Sequence, residues 1–339
     1  MSVTLRSFAK INLGLAIGPA RPDGFHALTT VYQTIGVYDL LTVTAQRADA
    51  MRITLTSNDE RVPLDGRKTA SKMTERALAA LGVAAEVAIH IEKRLPVQGG
   101  LGAGSANAAA ALLGLERELN VTLSEEDRLR VAAEVGSDVP LFLIGGAVLG
   151  LGRGEEVSPL ADLPSVECVV AVPEVGVSTP AAFREWDTRH SALTPAAATD
   201  RLNRLSRCVS AAWGQPRSSG VSWGIPSGIE GDAPAKGDLA ETPLLALVRT
   251  GIANDFEEVV FSQHPFLADI VRVLRGSGEP EDAAFYASLS GSGSALFGLY
   301  AGAEAADRAA ERLRERGIVA LRTETLPREQ YWRTMWMET

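Results

Sequence analysis

Residues 95–120, LPVQGGLGAGSANAAAALLGLERELN, are the stretch around which the rest of the chain is organised. Four of the six residues from Gly99 to Gly104 are glycine, and an alanine- and leucine-rich segment follows from Ser105. Residues 86–93, just before, alternate apolar and polar side chains, which is the period of a β-strand. The order strand, glycine loop, helix lets backbone N–H groups converge at the positive end of a helix, and it predicts a phosphate-binding loop.

The glycine spacing excludes two common phosphate loops. A Walker A loop ends in Gly-Lys-Ser/Thr, and no lysine follows these glycines. The dinucleotide pattern G-x-G-x-x-G/A also fails, because Ser105 and Asn107 stand where its last small residue belongs. A glycine turn that only lets a helix pack closely on a sheet is the structural alternative.

The composition is that of a soluble globular enzyme with room for two domains: 339 residues, 46% hydrophobic and 22% charged. No apolar run approaches the ~20 residues of a membrane span, and Lys10 interrupts the apolar N-terminal segment, so we expect no signal peptide. Cys168 and Cys208 form no C-x-x-C pair. They predict neither zinc nor a disulfide framework, and hence a cytoplasmic protein.

The net charge of −9 argues against a nucleic-acid groove or an anionic membrane as partner. A small anion can still be held by local donors, and five basic residues flank the glycine-bearing segments: Lys10, Arg21, Lys93, Arg94 and Arg153. A small-molecule substrate is therefore the predicted partner.

Two short segments near the N-terminus carry candidate site residues. Lys10 lies inside an apolar strand, where it is either an edge lysine reaching water or a cation aimed into a site, with Asn12 on the same face. Farther on, the turn Asp23-Gly24 precedes Phe25 and His26. A ring face beside a ring nitrogen would suit a nucleobase, although an ordinary loop histidine is equally open.

Two later segments contain a carboxylate and a second glycine turn. In GSDVPLFLIGG, residues 136–146, Asp138 stands before an apolar run, as a capping aspartate or as a proton acceptor in a wall of low dielectric. Residues 287–297, ASLSGSGSALF, predict a glycine turn between two apolar strands. This turn is either part of a site or a plain hairpin turn.

Together these motifs resemble the GHMP small-molecule kinases (galactose, homoserine, mevalonate and phosphomevalonate kinases). The loop fits P-x-x-x-G-L-x-x-x-S-x-x-A-A from Pro96 to Ala109. A-K-I-N-L at 9–13 and R-P-D-G-F-H at 21–26 resemble the opening of those members that phosphorylate a cytidine diphosphate-linked methylerythritol in the non-mevalonate route to isoprenoids. The resemblance covers most of residues 6–185 and 250–300.

The chain departs from that pattern at several places. Phe8 replaces a usual proline and Phe25 a usual tyrosine, which keeps the ring and loses a hydroxyl. Lys68-Thr69 stand where the family has Asn-Leu, an asparagine that lies beside the adenine. The adenine contact is therefore not expected to follow the family.

The resemblance implies an α+β, two-domain GHMP kinase fold with the active site in the cleft between domains. Residues 1–160 would form an N-terminal domain, a mixed sheet with helices and a left-handed crossover. Residues 161–339 would form a ferredoxin-like C-terminal domain with a loop insertion at about 205–243. A monomer or weak homodimer is expected.

The resemblance also implies the chemistry: ATP and Mg²⁺ as cofactors and phosphorylation of the 2-hydroxyl of the sugar alcohol. Asp138 would be the general base, paired with Lys10, and Phe25, His26 and Phe183 would hold the cytosine, with Asn12 in the same site. The ATP-binding residues would be Pro96, Gly99, Gly100, Leu101, Gly102, Ala103, Gly104, Ser105 and Ala106, and the site would be closed by Gly291, Ser292 and Gly293.

Two other readings remain. The acceptor could be another small alcohol, such as homoserine or a mevalonate derivative, but the D-G-F-H segment would then have no base to hold. Alternatively, the chain could be a non-catalytic GHMP-fold sensor of nucleotide or sugar. Such a sensor would be expected to lose the base or the lysine, whereas this chain keeps Asp138 and Lys10.

Overall fold

The computed structural model describes residues 2–62, 69–97, 99–213, 242–276, 279 and 281–337. The first half of the chain contains β1 (Val3–Ala20), β2 (His26–Arg47), β3 (Arg52–Ser57), α1 (Thr69–Leu81), β4 (Ala85–Glu92), α2 (Ala103–Leu119), α3 (Glu125–Val135), a 3-10 turn (Pro140–Leu143), β5 (Ala147–Leu151) and β6 (Glu156–Pro159). The second half contains β7 (Glu167–Val172), α4 (Thr179–Arg189), α5 (Pro195–Trp213), α6 (Pro243–Arg249), α7 (Phe256–Gln263), α8 (Pro265–Arg275), β8 (Tyr286–Leu289), β9 (Leu296–Tyr300), α9 (Ala303–Arg314), β10 (Val319–Glu324) and α10 (Arg328–Met335).

The first sheet is mixed, as predicted, with strand order β3-β4-β2-β5-β6 and β1 paired along β2. The β1–β2 hairpin turns where Asp23-Gly24 predicts it, and Gly24 has a φ of 82°, which a glycine adopts without strain. Strand β2 pairs with β5 through residues 30–33 and with β4 through residues 40–47. Strands β3 and β4 are parallel and joined through α1, and the hand of that crossover stays a prediction.

The second sheet is antiparallel with strand order β10-β7-β9-β8. With helices between β7 and β8 and between β9 and β10, this order is the predicted ferredoxin-like arrangement. Its strand β7 is buried on both faces. Cys168 and Val170 point into a core shared with the first sheet, and Val169 and Ala171 into a core under the helices.

The two halves of the molecule also pack against each other. Ile11 of β1 and Phe297 of β9 belong to one buried cluster, and helix α10 returns from the second half to pack Tyr331 and Trp332 into the core of the first. The division at residue 160 stays a prediction. Among the described residues, no helix combines the length and the apolar character that crossing a membrane requires.

The predicted loop insertion at about 205–243 needs a correction at its start. Residues 205–213 continue helix α5, because Leu205 and Val209 are both buried and lie one helical turn apart. Residues 214–241 lie outside the described part of the chain. So does Lys68, whereas Thr69 begins α1 and donates to the carbonyl of Gly104 at 2.6 Å.

Candidate active site

The glycine loop between β4 and α2 turns sharply enough to open a cavity. Gly100 and Gly102 have φ angles of 75° and 70°, in the left-handed region that glycine tolerates. Helix α2 starts directly after Gly102, and no side chain caps it. The residues from Gly99 to Ser105 line a space of about 380 Å³, here called the loop cavity. Uncapped N–H groups at a helix start suit an anion.

The second glycine turn lies directly against this loop. A Cβ added to Gly100 would stand 2.1 Å from the carbonyl oxygen of Ser290. The Ser290 hydroxyl donates to the Gly100 carbonyl at 3.0 Å, and the Ala295 amide donates to the Gly99 carbonyl at 3.0 Å. Residues 290–295 therefore pack on the loop, as the resemblance implies, and they come from the other sheet.

A buried carboxylate that the sequence analysis missed secures both ends of the loop. Asp39 is fully buried and accepts from the Lys93 ammonium at 2.7 Å, from the amides of Arg94 and Leu95 at 2.8 Å, and from the Asn107 side chain at 3.1 Å. Burial lowers the pKa of Lys93, although the Asp39 carboxylate opposes that shift. The signal was present: Asp39 is a lone acid within an apolar strand.

Lys10 and Asp138 meet in the structure. Lys10 is only 3% exposed, so the reading of an edge lysine reaching water is wrong. Its ammonium lies 3.4 Å from Asp138 Oδ2 and donates to Asn12 Oδ1 at 2.6 Å. Asn12 in turn donates to the Thr30 hydroxyl at 2.8 Å. These contacts fix the direction in which the Lys10 side chain points.

Tyr32 is a second neighbour of Asp138 that the sequence analysis did not single out. Its hydroxyl donates to Asp138 Oδ1 at 3.0 Å. Burial, together with the Asp138 charge, raises the pKa of Tyr32 well above its usual value, so the tyrosine remains a neutral donor. An ionised carboxylate offers about four lone pairs, so Tyr32 and Lys10 leave room for another proton donor.

The three predicted base-binding residues line one cavity, in an arrangement that the sequence did not indicate. His26, 8% exposed, stacks on Phe183 with ring centroids 4.9 Å apart and planes 10° apart. His26 Nε2 also hydrogen-bonds to Asp187 Oδ1 at 2.7 Å. Phe25 is half exposed and lies under the Arg153 guanidinium, 4.9 Å from the ring centroid.

These side chains surround a second space of about 260 Å³ between the halves of the molecule, here called the cleft cavity. Its lining includes Lys10, Asn12, Phe25, His26, Tyr32 and Asp138 from the first half and Thr179, Phe183, Phe256, Gly291 and Ser292 from the second. Gly100 and Gly102 line both cavities, so the two spaces meet at the glycine loop. The arrangement can hold an anion on one side and a hydroxyl beside a carboxylate on the other.

Two domain families match the chain. Residues 68–146 match the family of the GHMP kinases N terminal domain, and residues 237–319 match that of the GHMP kinases C terminal domain. The fold and the site therefore define the class as a GHMP kinase.

Relatives narrow that class. The 4-diphosphocytidyl-2-C-methyl-D-erythritol kinase of Streptomyces avermitilis is 38% identical over 314 residues, which cover 92% of this chain and 93% of the relative. A crystal structure of 4-(cytidine 5'-diphospho)-2C-methyl-D-erythritol kinase, 29% identical, covers 95% of this chain and 98% of its own with a TM-score of 0.65. The chain belongs to the family of 4-diphosphocytidyl-2-C-methyl-D-erythritol kinases.

The fold alone does not distinguish this family from other GHMP kinases. A homoserine kinase from Cytophaga hutchinsonii superposes with a TM-score of 0.70 over 97% of this chain and 96% of its own, at 19% identity. That likeness concerns the fold only. Kinases with different names thus share this backbone fold, and it is their side chains that distinguish them.

Proposed function

We propose that the chain transfers the γ-phosphoryl group of ATP to the 2-hydroxyl of 4-diphosphocytidyl-2-C-methyl-D-erythritol, in the formation of isoprenoid precursors. The observation that carries the proposal is the convergence at the glycine loop. Gly100 and Gly102 border both cavities, and the Lys10–Asp138 pair lies in the one that also contains the aromatic residues. Membership of the family supports the choice of acceptor.

In the proposed reaction, the N–H groups of the loop and of the start of α2 hold the polyphosphate of ATP in the loop cavity. Asp138 accepts the proton of the hydroxyl as its oxygen bonds to the γ-phosphorus, and the bond from that phosphorus to ADP breaks. A positioned base contributes roughly 10²–10⁴-fold in rate. Alignment of the reactants and neutralisation of charge must supply the rest.

Lys10 and Tyr32 serve the base in this proposal. Both contact Asp138 from buried positions, so the carboxylate keeps one orientation toward the cleft cavity. The ammonium of Lys10 also offsets negative charge near the transferring group. Phe25 and Phe183 supply rings beside the cytosine, and His26 supplies a hydrogen bond to its edge.

Magnesium is proposed as a companion of ATP. Among the described residues no cluster of three His, Cys, Asp or Glu side chains could hold a metal. That fits Mg²⁺, which is usually held by substrate phosphates, water and one or two protein oxygens, and the Ser105 hydroxyl in the loop cavity is the oxygen we propose. When bound, the ion would help to neutralise the negative charge of the phosphates.

The function is tested by incubating the purified chain with Mg-ATP and each of three acceptors, and following ADP release. The acceptors are 4-diphosphocytidyl-2-C-methyl-D-erythritol, homoserine and mevalonate. We expect turnover with the first alone. Turnover only with an acceptor that lacks cytidine would refute the proposal, and nucleotide binding without any turnover would favour the sensor.

The base assignment is tested by Asp138→Asn, which keeps the side-chain volume and removes the charge. We expect kcat to fall roughly 10²–10⁴-fold, because the amide cannot take the proton, with little change in the KM for ATP. Asp200→Asn is the matched control, since Asp200 is 73% exposed and outside both cavities. Near-normal turnover of the Asp138 variant would exclude it as the base.

A cytoplasmic location and a monomeric or weakly dimeric state accompany this proposal. Both remain predictions from the sequence. Size-exclusion chromatography with light scattering measures the second directly, and a stable tetramer would contradict it.

A further inference from the structure

Helix α4 fixes the His26 ring in two ways. Phe183 stacks on the ring, and Asp187, four residues later and therefore on the same face of the helix, hydrogen-bonds to Nε2 at 2.7 Å. His26 itself stands at the start of β2, in the other half of the molecule. The stack sets the plane of the imidazole, and the carboxylate sets its rotation within that plane.

The Asp187 contact also determines which nitrogen carries hydrogen. An ionised carboxylate can only accept a hydrogen bond, so Nε2 of His26 must be the donor. A neutral imidazole has one N–H, which leaves Nδ1 with a lone pair. Among the described residues Nδ1 has no hydrogen-bond partner, and His26 lines the cleft cavity.

We propose that Asp187 is a positioning residue for base recognition. It holds His26 as the tautomer with hydrogen on Nε2, so that Nδ1 accepts a hydrogen bond from the amino group of cytosine. Uracil carries a carbonyl oxygen at that position, which would place two lone pairs against each other. Asp187 thereby makes the site select a cytidine over a uridine nucleotide. This inference rests on the proposed function, because it assumes a pyrimidine in the cleft cavity.

The role of Asp187 can be tested by substitution with little risk to the fold, because its side chain is exposed to solvent. Its side chain is 54% exposed, so Asp187→Ala removes the acceptor without opening a buried cavity. We expect the ratio of kcat/KM for the cytidine-linked substrate to that for its uridine-linked analogue to fall by roughly tenfold or more. The kcat with the cytidine substrate should change by less than about threefold, because phosphoryl transfer takes place at Asp138.

A spectroscopic measurement reads the tautomer directly. The chain contains four histidines, so the ¹⁵N signals of the His26 ring can be assigned by their loss in His26→Gln. In the wild type we expect Nε2 protonated and Nδ1 bare, and in Asp187→Ala a mixture of both tautomers. Asp187→Glu, which restores a carboxylate on the same helix, should recover both the spectrum and the base preference.

Glu185→Gln is the matched control. It removes another carboxylate from α4, one that pairs with Arg189 at 2.7 Å and does not line the cleft cavity. It should leave the tautomer and the base preference unchanged.

An unaltered cytidine-to-uridine ratio in Asp187→Ala would overturn the proposal, and so would a wild-type spectrum with hydrogen on Nδ1. The spectrum needs no turnover. If the wild type phosphorylated no cytidine-linked alcohol, the kinase assignment would fail in the activity assay, while the role of Asp187 toward His26 would still be decided by the spectrum.

Discussion

Lys10 and Asp39 are charged side chains inside apolar strands, and each has a partner that only a distant part of the chain supplies. Lys10 meets Asp138, and Asp39 meets Lys93. An unpaired buried charge would cost several kcal/mol, so such a residue in a strand predicts a partner. Which partner, and whether the pair serves catalysis or the loop, depends on the fold.

Tyr32→Phe tests whether the hydroxyl on Asp138 matters for the reaction. The change removes one donor at 3.0 Å and keeps the ring in place. Hydrogen bonds to charged groups are worth about 1.5–3 kcal/mol, so we expect kcat to fall roughly 10–100-fold while the KM for ATP holds. Steady-state kinetics of ADP release measures both parameters.

Tyr300→Phe is the control for that experiment. Tyr300 is also fully buried and donates its hydroxyl to the Leu274 carbonyl at 2.8 Å, within the second sheet and its helices. This variant should lose about 1 kcal/mol of stability and none of its kcat. If the Tyr32 variant behaved in the same way, its hydroxyl would be structural only.

At the scale of elements, the candidate active site contains two glycine turns that contact each other. The loop before α2 belongs to the first sheet, and the turn between β8 and β9 belongs to the second. Asn254, at the start of α7, donates to the carbonyls of Leu289 and Gly291 at 2.9 and 2.8 Å and thereby fixes the second turn. The second turn donates two hydrogen bonds to the first, from the Ser290 hydroxyl and the Ala295 amide, so we expect the shape of one turn to depend on the other.

Gly100→Ala tests this contact between the turns. A methyl group at this position would meet the Ser290 carbonyl at 2.1 Å, so one turn must move. We expect a loss of stability about 1–3 kcal/mol greater than that from left-handed strain alone, and a fall in ATP-dependent turnover of roughly 100-fold. Urea unfolding and ADP release are the measurements.

Gly82→Ala is the control, because it introduces left-handed backbone strain without a contact to a second turn. Gly82 has a similar φ of 64°, but an added Cβ would meet nothing within 4 Å. It should show only the left-handed penalty of about 1–2 kcal/mol, with normal turnover. Equal losses in the two variants would mean that the turns do not depend on each other.

For the molecule as a whole, the cleft is held by a core that both sheets share. Residues of β1 and β2 pack with residues of β7 and β9 in one buried cluster. Helix α10 adds a second connection, with the Tyr331 hydroxyl on the Phe142 carbonyl at 2.6 Å and the Trp332 indole on the Ile144 carbonyl at 2.9 Å. The segment 142–144 follows Asp138 closely, so α10 supports the part of the cleft wall that carries Asp138.

Trp332→Ala therefore tests the coupling between the halves. Trp332 is 6% exposed, and its loss should lower the free energy of unfolding by about 3–5 kcal/mol. We expect one cooperative transition, in which the far-ultraviolet circular dichroism changes together with the fluorescence of Trp186 in α4, read in a background where the other three tryptophans are phenylalanine. A Trp186 signal that kept its original midpoint would show that the halves unfold separately.

Trp213→Ala is the matched substitution on the surface side. Trp213 is partly exposed and donates to the Ala161 carbonyl at 3.0 Å. Its loss should lower the free energy of unfolding by only roughly 1 kcal/mol. A cost equal to that of Trp332→Ala would argue against a special role of α10.

The sequence by itself determined some of the elements and indicated the class of site. A period-two pattern predicted β4, the apolar segment around Lys10 predicted a strand, the Asp23-Gly24 pair predicted a turn, and the clustered glycines predicted the loop, because these signals are local in the chain. The resemblance added the pairing of Lys10 with Asp138. It also supplied the ferredoxin-like order of the second sheet, which no local pattern contains.

Only the tertiary structure decided which side chains complete the site. Tyr32 reaches Asp138 because β2 pairs with β1 in a register that places Tyr32 opposite Asn12, and Asp187 reaches His26 because α4 packs across the cleft. Ser290 meets Gly100 through the contact of two sheets. Each of these contacts joins residues far apart in the chain, so no sequence period could reveal them, and packing alone brings them within hydrogen-bond distance.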